Sequence, residues 1–354
     1  MTPWRTYADP AVLDAARSPR QLHSAGRALR SEFPYAQVLR LPEHSTSVTG
    51  IVVPLVTRDA PDLIAPAVMA GGRVVLDVVD VDDSLPGPWE WDVVRAARSA
   101  GKPAAVRAFA AGYQAGIAAM AEEPLHAARS RAEGVATRLA RGLVGASALE
   151  AERQLSRDGS TPRLRPDQVA QRWNAPVSAP LTDIAREWAQ YRETVVESQA
   201  TLLAHYREVD ALGTEDGRLL VLLARGRGDL VLLEATPAAP STWEPFAGAW
   251  RAGSDVQRVL LARETVPLAT PEMLGWSTSP DGAVARVWSR ARALPRQKKS
   301  GAQAAPVGLG RRRRAHATGV VLGLVHGGGG DATTLNGYLG RSERFADALV
   351  EAVG

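Results

Sequence analysis

The chain has no cysteine in 354 residues, and this limits its possible folds more than any other feature. Disulfide scaffolds, thiolate metal centres and cysteine nucleophiles are excluded together. Order must therefore come from buried apolar surface. The length, with 45% hydrophobic and 23% charged residues, suffices for two or three such cores and places the chain among globular rather than disordered proteins. No apolar stretch reaches the roughly 18 to 20 residues that a membrane span needs. Residues 1–10 lack the apolar centre of a signal peptide, so a cytoplasmic location is expected. None of the six histidines is paired at a metal-ligand spacing.

Charge is unevenly spread. The formal net charge is +4, yet residues 290–314 carry nine cations (Arg290, Arg292, Arg296, Lys298, Lys299 and Arg311 through Arg314) and no acid, leaving the rest of the chain at −5. Such a stretch can bind phosphate backbones by counterion release, but without aromatic residues it offers bases no stacking platform. An exposed, flexible insertion is the simpler reading. Lysine is scarce: Lys102, Lys298 and Lys299 are the whole complement.

Residues 1–44 read as helical turns broken at Pro10, Pro19, Pro34 and Pro42. Strands are predicted at 51–56, where Pro54 argues for an edge, and at 73–79, after the Gly71-Gly72 turn. A helix is expected from about Trp89 to Gly101, with Pro103 opening the next. There Val106, Phe109, Tyr113, Ile117 and Met120 recur every three or four residues and mark a buried face. Residues 124–157 look helical, and 158–180 read as a linker. The apolar spacing over 181–209 predicts one long amphipathic helix. Residues 218–223 and 229–234 form a predicted hairpin, with shorter strands at 259–262 and 283–288. Helices are expected at 316–326, ended by Gly327 through Gly330, and at 342–353.

The best candidate for chemistry is the acidic run Asp80, Asp82 and Asp83 at the end of the 73–79 strand. Carboxylates there can offer oxygen ligands to a hard cation such as Mg²⁺, and the alternative is a solvated acidic turn. Asp59 could be a partner carboxylate or a turn former before Pro61. The Gly327–Gly330 run follows a helix and lacks the downstream Gly-Lys-Ser/Thr, so a helix terminator is favoured over a phosphate loop. No Gly-x-Ser-x-Gly elbow occurs.

The block Asp80-Val81-Asp82-Asp83-Ser84-Leu85-Pro86-Gly87-Pro88-Trp89-Glu90-Trp91-Asp92 closely resembles one in the uncharacterised bacterial family called domain of unknown function 2252. Gly26-Arg27 to Tyr35, and His326 to Gly340, resemble two further blocks of that family in the same order. That family in turn resembles kinase-like aminoglycoside phosphotransferases, with the nucleotide-lobe segments placed after the catalytic ones. The resemblance implies an α+β, helix-rich, two-lobe kinase-like fold of permuted segment order. It assigns 1–157 to a helical catalytic-type lobe, 181–289 to a long helix plus a nucleotide-lobe sheet, and 315–354 to C-terminal helices. It also implies Asp59 as the catalytic Asp position, Asp80, twelve residues before Asp92, as the metal-ligand equivalent, and Asp92, with Trp89 and Trp91, as structural; Asp82 is a metal candidate through the acidic run alone.

Departures from the pattern matter as much. Pro61 replaces a histidine, Ile64 stands where a metal-binding Asn is expected, and Leu233 occupies the place of the phosphate-pairing lysine. The glycine-rich loop aligns with residues 211–216, which keep Gly213 but add Glu215 and Asp216, carboxylates that would repel phosphates. Phosphoryl transfer depends on charge neutralisation, and losing one such group costs on the order of 10² to 10⁵ in rate. The expectation is a catalytically degraded kinase-like protein with a binding or scaffold role and no cofactor. The alternatives are a Mg-dependent small-molecule phosphotransferase using ATP with Asp59 and Asp80, and an anion- or nucleic-acid-binding protein acting through residues 290–314.

Overall fold

The computed structural model describes residues 18–40, 49–56, 64–68, 74–78, 81–122, 125–141, 163–173, 175–180, 184–225, 229–248, 253–269, 271–291, 310–340 and 343–354. The elements, in chain order, are α1 (Pro19–Glu32), α2 (Tyr35–Val38), β1 (Val52–Pro54), β2 (Ile64–Val68), β3 (Val74–Val78), β4 (Pro86–Pro88), α3 (Trp89–Ala100), α4 (Pro103–Ala121) and α5 (Leu125–Arg141). They continue with α6 (Pro166–Trp173), β5 (Val177–Pro180), α7 (Ala185–Thr194), α8 (Glu197–Leu203), β6 (Arg207–Thr214), β7 (Leu219–Arg225), β8 (Asp229–Pro237), α9 (Glu244–Ala247), α10 (Asp255–Thr265), β9 (Gly275–Thr278), β10 (Ala285–Arg290), α11 (Arg311–Gly329), α12 (Ala332–Leu339) and α13 (Glu343–Val353). The architecture is mixed α+β.

The helical body is built on α4 and α11, whose backbones almost touch. A Cβ added at Gly112 would lie 2.2 Å from the His316 carbonyl oxygen, and one at Gly319 would lie 2.1 Å from that of Phe109. Gly116 and Gly323, one turn further along each helix, repeat the arrangement at 2.5 Å from the Val320 and Tyr113 carbonyls. Only glycine fits at such distances, and the i, i+4 spacing keeps each pair on one helix face. Around this crossing Trp89, Phe109, Tyr113, Tyr338 and Phe345 form a continuous buried aromatic cluster. Helix α1 docks on α12 in the same manner, through Gly26 and Gly337.

A six-stranded antiparallel sheet, ordered β5-β6-β7-β8-β10-β9, forms the second core. Successive side chains alternate between its faces. Val221, Leu233 and Trp288 face Tyr191 and Leu203 of the α7–α8 layer, whereas Leu220, Leu222 and Leu232 face Val169 of α6 and Leu164 just before it. Burial on both sides explains the unbroken apolar run at the centre of β7. Two short antiparallel pairs, β1 with β4 and β2 with β3, belong to the helical body.

Several sequence expectations require correction. The region 181–209 is two helices and a strand, because the backbone turns extended at Val195 and Val196 (ψ 142° at each) before α8. An apolar period of three or four residues does not itself reveal such a break. Residues 158–180 are not merely a linker, since they contain α6 and β5. Pro166 opens that helix, where its missing N–H is harmless, and Pro180 ends an edge strand. Residues 259–262 lie inside α10, whose start is fixed by a capping box between Ser254 and Gln257. The basic stretch 290–314 is ordered at both ends: Arg290 lies in β10 and pairs with Glu272 at 2.9 Å, and Arg311–Arg314 begin α11. Residues 292–309 lie outside the described residues. Among the described residues no helix is long and apolar enough to cross a membrane.

Candidate functional site

The acidic segment after β3 lies where the two bodies meet. In the β2–β3 hairpin Ile64 stands opposite Val78, so the strands begin and end side by side. Asp59, Pro61 and Asp80 lie outside the described residues. Asp82, read from the sequence as a metal candidate, gives both carboxylate oxygens to Arg263 of α10: Nε and Nη2 each donate at 2.6 Å. The guanidinium also donates to Thr236 Oγ1 at 2.6 Å and Ser289 Oγ at 2.9 Å, both in the large sheet. Burial alone would raise the Asp82 carboxyl, but the charge and hydrogen bonds of Arg263, with Arg218 and Arg258 further off, bring it below its ordinary value.

A second arginine completes the joint. Arg258, almost wholly buried, donates from Nη1 to the carbonyls of Asp82 at 2.6 Å and Ser84 at 3.1 Å. Its other nitrogens reach Ala239 and Asp255. Asp83 accepts from the Thr242 amide at 2.6 Å, and Ser241 donates to the Asp83 carbonyl at 2.6 Å. Deeper in, the buried Asp77 carboxylate accepts from the amides of Val78, Leu268 and Ala269 at 2.8, 2.9 and 3.2 Å, fastening the segment that follows α10 to β3. Arg258, Arg263 and Asp77 are not apparent as a group from sequence. The one local signal is a capped helix carrying two arginines five residues apart on a largely buried face.

The Trp-Glu-Trp-Asp block is held from within. Asp92 is buried, and its Oδ2 accepts from the Val56 amide at 2.6 Å and lies 3.2 Å from His326 Nε2. The Tyr113 hydroxyl lies 2.8 Å from His326 Nδ1. A carboxylate can only accept, so Nε2 is the donor toward Asp92. Burial, with the Asp92 and Glu90 carboxylates nearby, holds the Tyr113 phenol well above its usual range, so the hydroxyl keeps a proton that it can donate toward Nδ1. Trp89 donates to Thr49 Oγ1 at 3.2 Å, while Trp91 stacks on Trp243 with centroids 5.7 Å apart.

The remaining singled-out positions lie in the cores or in the turns of the sheet. Ile64 and Leu233 are both buried, the first in the helical core and the second between the sheet and α7. Residues 211–214 lie in β6, and Glu215-Asp216-Gly217 form the turn into β7, with Gly217 at φ 82° and Asp216 3.0 Å from Arg218. Glu187 of α7 makes a buried bidentate pair with Arg286 of β10, at 2.8 and 2.9 Å. Among the described residues no group of three or more His, Asp or Glu side chains could hold a metal ion.

Comparison with curated proteins and with solved structures gave no match. A family profile described as "Uncharacterized protein conserved in bacteria (DUF2252)" matches residues 67–353, a span that includes the joint and the Trp-Glu-Trp-Asp block. That match covers most of the chain, which therefore belongs to this bacterial family.

Proposed function

We propose that this chain is a kinase-like protein that no longer transfers phosphoryl groups and works as a binding scaffold. The observation that carries this reading is the Asp82–Arg263 pair. An oxygen that already accepts a short, charge-assisted hydrogen bond from a guanidinium is poorly available to Mg²⁺, and the paired cation adds repulsion against the metal. Leu233 supports it, since a lysine placed there would enter an apolar layer beside Tyr191 and Trp288. The kinase-like part of the reading rests on the resemblance, on the hairpin that separates the segments containing Asp59 and Asp80, and on Asp92, whose hydrogen bond to the Val56 amide suits the structural role that the resemblance implies.

The test is direct. Purified full-length protein should show no thermal stabilisation by millimolar ATP with Mg²⁺, whereas a ligand at a hundredfold excess over its Kd adds about 2.7 kcal/mol. It should also show no ATP turnover. Mg²⁺-dependent turnover that disappears in Asp59→Asn and Asp80→Asn would overturn the proposal and establish the working phosphotransferase in its place.

A further inference from the structure

We propose a second, separate site: a cavity of about 360 Å³ between α1, α12 and the end of α4 that binds a small, soluble phosphate-bearing anion. Its polar lining comprises Arg20, His23, Ser24, Arg27, Thr333 and Asn336. The first four stand at i, i+3, i+4 and i+7, a single stripe along one face of α1. It is the polar face of an amphipathic helix whose apolar stripe, Leu22, Ala25, Gly26 and Leu29, turns toward the protein. Here it supplies two guanidinium groups, an imidazole and a hydroxyl, and the facing wall adds a hydroxyl and a carboxamide. No carboxylate lines the cavity.

Four of these six groups are also uncommitted. Arg27 Nη2 donates to Ser24 Oγ at 3.3 Å, and among the described residues the side chains of Arg20, His23, Thr333 and Asn336 make no hydrogen bond or ion pair. A further arginine-bearing cavity, between α4, α11 and α13, differs in this respect. Its lining includes Glu343 and Asp347, and Asp347 already pairs with Arg107 at 2.8 Å.

The walls of the proposed site are rigid for a steric reason. A Cβ at Gly26 would meet the Thr334 carbonyl at 2.0 Å, and one at Gly337 would meet that of His23 at 2.2 Å, so α1 and α12 are locked at a fixed separation beside the cavity. Binding therefore requires ordering of side chains alone, not of the helices. Arg20 and Arg27 are two turns apart, about 10 Å along the helix, within reach of one ligand for two long side chains. A guanidinium fork matches phosphate oxygens in a bidentate manner, and hydroxyl and amide donors satisfy the rest. The site lies in part on α1, which precedes the family match.

Isothermal titration and thermal shift of the full chain with inorganic phosphate and with glycerol phosphate, at constant ionic strength against chloride, test this. Saturable, phosphate-specific stabilisation is expected. The exposed double substitution Arg20→Gln/Arg27→Gln should weaken binding by about tenfold or more with an unchanged circular dichroism spectrum, and Asn336→Asp, which adds a negative charge without touching α1, should weaken it as well. Arg312→Gln/Arg313→Gln should leave it unchanged. An equal response to chloride, retention of full affinity in the double variant, or binding to phosphatidic acid vesicles without binding to free phosphate would overturn the proposal.

Discussion

The α4–α11 crossing and the Asp82–Arg263 joint hold together parts of the protein that are remote in sequence, yet they do so by opposite means. The crossing depends on shape: four glycines let two backbones approach to distances that no side chain permits. The joint depends on charge, with two arginines gathering carbonyls and a carboxylate from a segment more than 170 residues away. Steric fit is indifferent to salt and pH, whereas ion pairs with partial exposure are screened and titrate. The molecule therefore has one body whose integrity is fixed by packing and one connection that solution conditions can weaken.

The largest effect is expected where shape allows no relief. Gly319→Val should prevent folding or cost more than about 4 kcal/mol, because its side chain meets the backbone of Phe109 rather than a movable group. Urea denaturation followed by circular dichroism measures it, and a near-wild-type midpoint would refute the steric account of the crossing. Asp92→Ala should follow at about 3–5 kcal/mol, since it strands both the Val56 amide and His326 in a dry interior.

At the joint, Arg263→Ala should cost about 2–3 kcal/mol and should loosen the α10 contact first. Hydrogen exchange would show this as faster exchange of the Leu268 and Ala269 amides in the segment after α10, while those of α4 and α11 stay protected. Uniform loss of protection would mean that the two regions are not energetically separate. The joint should also fail first in acid. The Asp82 carboxyl lies below its ordinary value of 3.8 in the folded state, so the unfolded chain takes up its proton earlier as pH falls. Its contribution is therefore complete above that ordinary value and is lost as pH falls through the lower folded one. Asp82→Asn should be less stable at neutral pH and should show a flatter decline between about pH 4 and 2. The smallest effect is expected for Arg20→Gln/Arg27→Gln, within about 0.5 kcal/mol without ligand, because both side chains are exposed and serve neither the crossing nor the joint.

Much of the helical body was legible before any coordinates. Gly101 and Pro103 punctuate α3 and α4 at the expected places, and the Val106 to Met120 stripe is buried. The β7–β8 hairpin also follows its apolar runs. The misread elements share a cause. In α10 the apolar Val259 to Ala262 looks like a strand until the capping box upstream is weighed, and in 181–209 helical and strand periods coincide around Tyr206 and Val209. The acidic segment stood out in the sequence, but the arginine that Asp82 meets did not, because it is 181 residues away.

By itself the sequence determined that order would come from buried apolar surface, that α3 and α4 would form where punctuation and periodicity agree, and that the Trp-Glu-Trp-Asp block marks the family. These are local matters of propensity, capping and spacing. Only the tertiary structure decided which glycines face a neighbouring backbone, that Asp82 meets an arginine, and that the α1 stripe lines a cavity. Such facts depend on which distant segments share a surface, and a carboxylate or a glycine carries no local trace of its eventual neighbour.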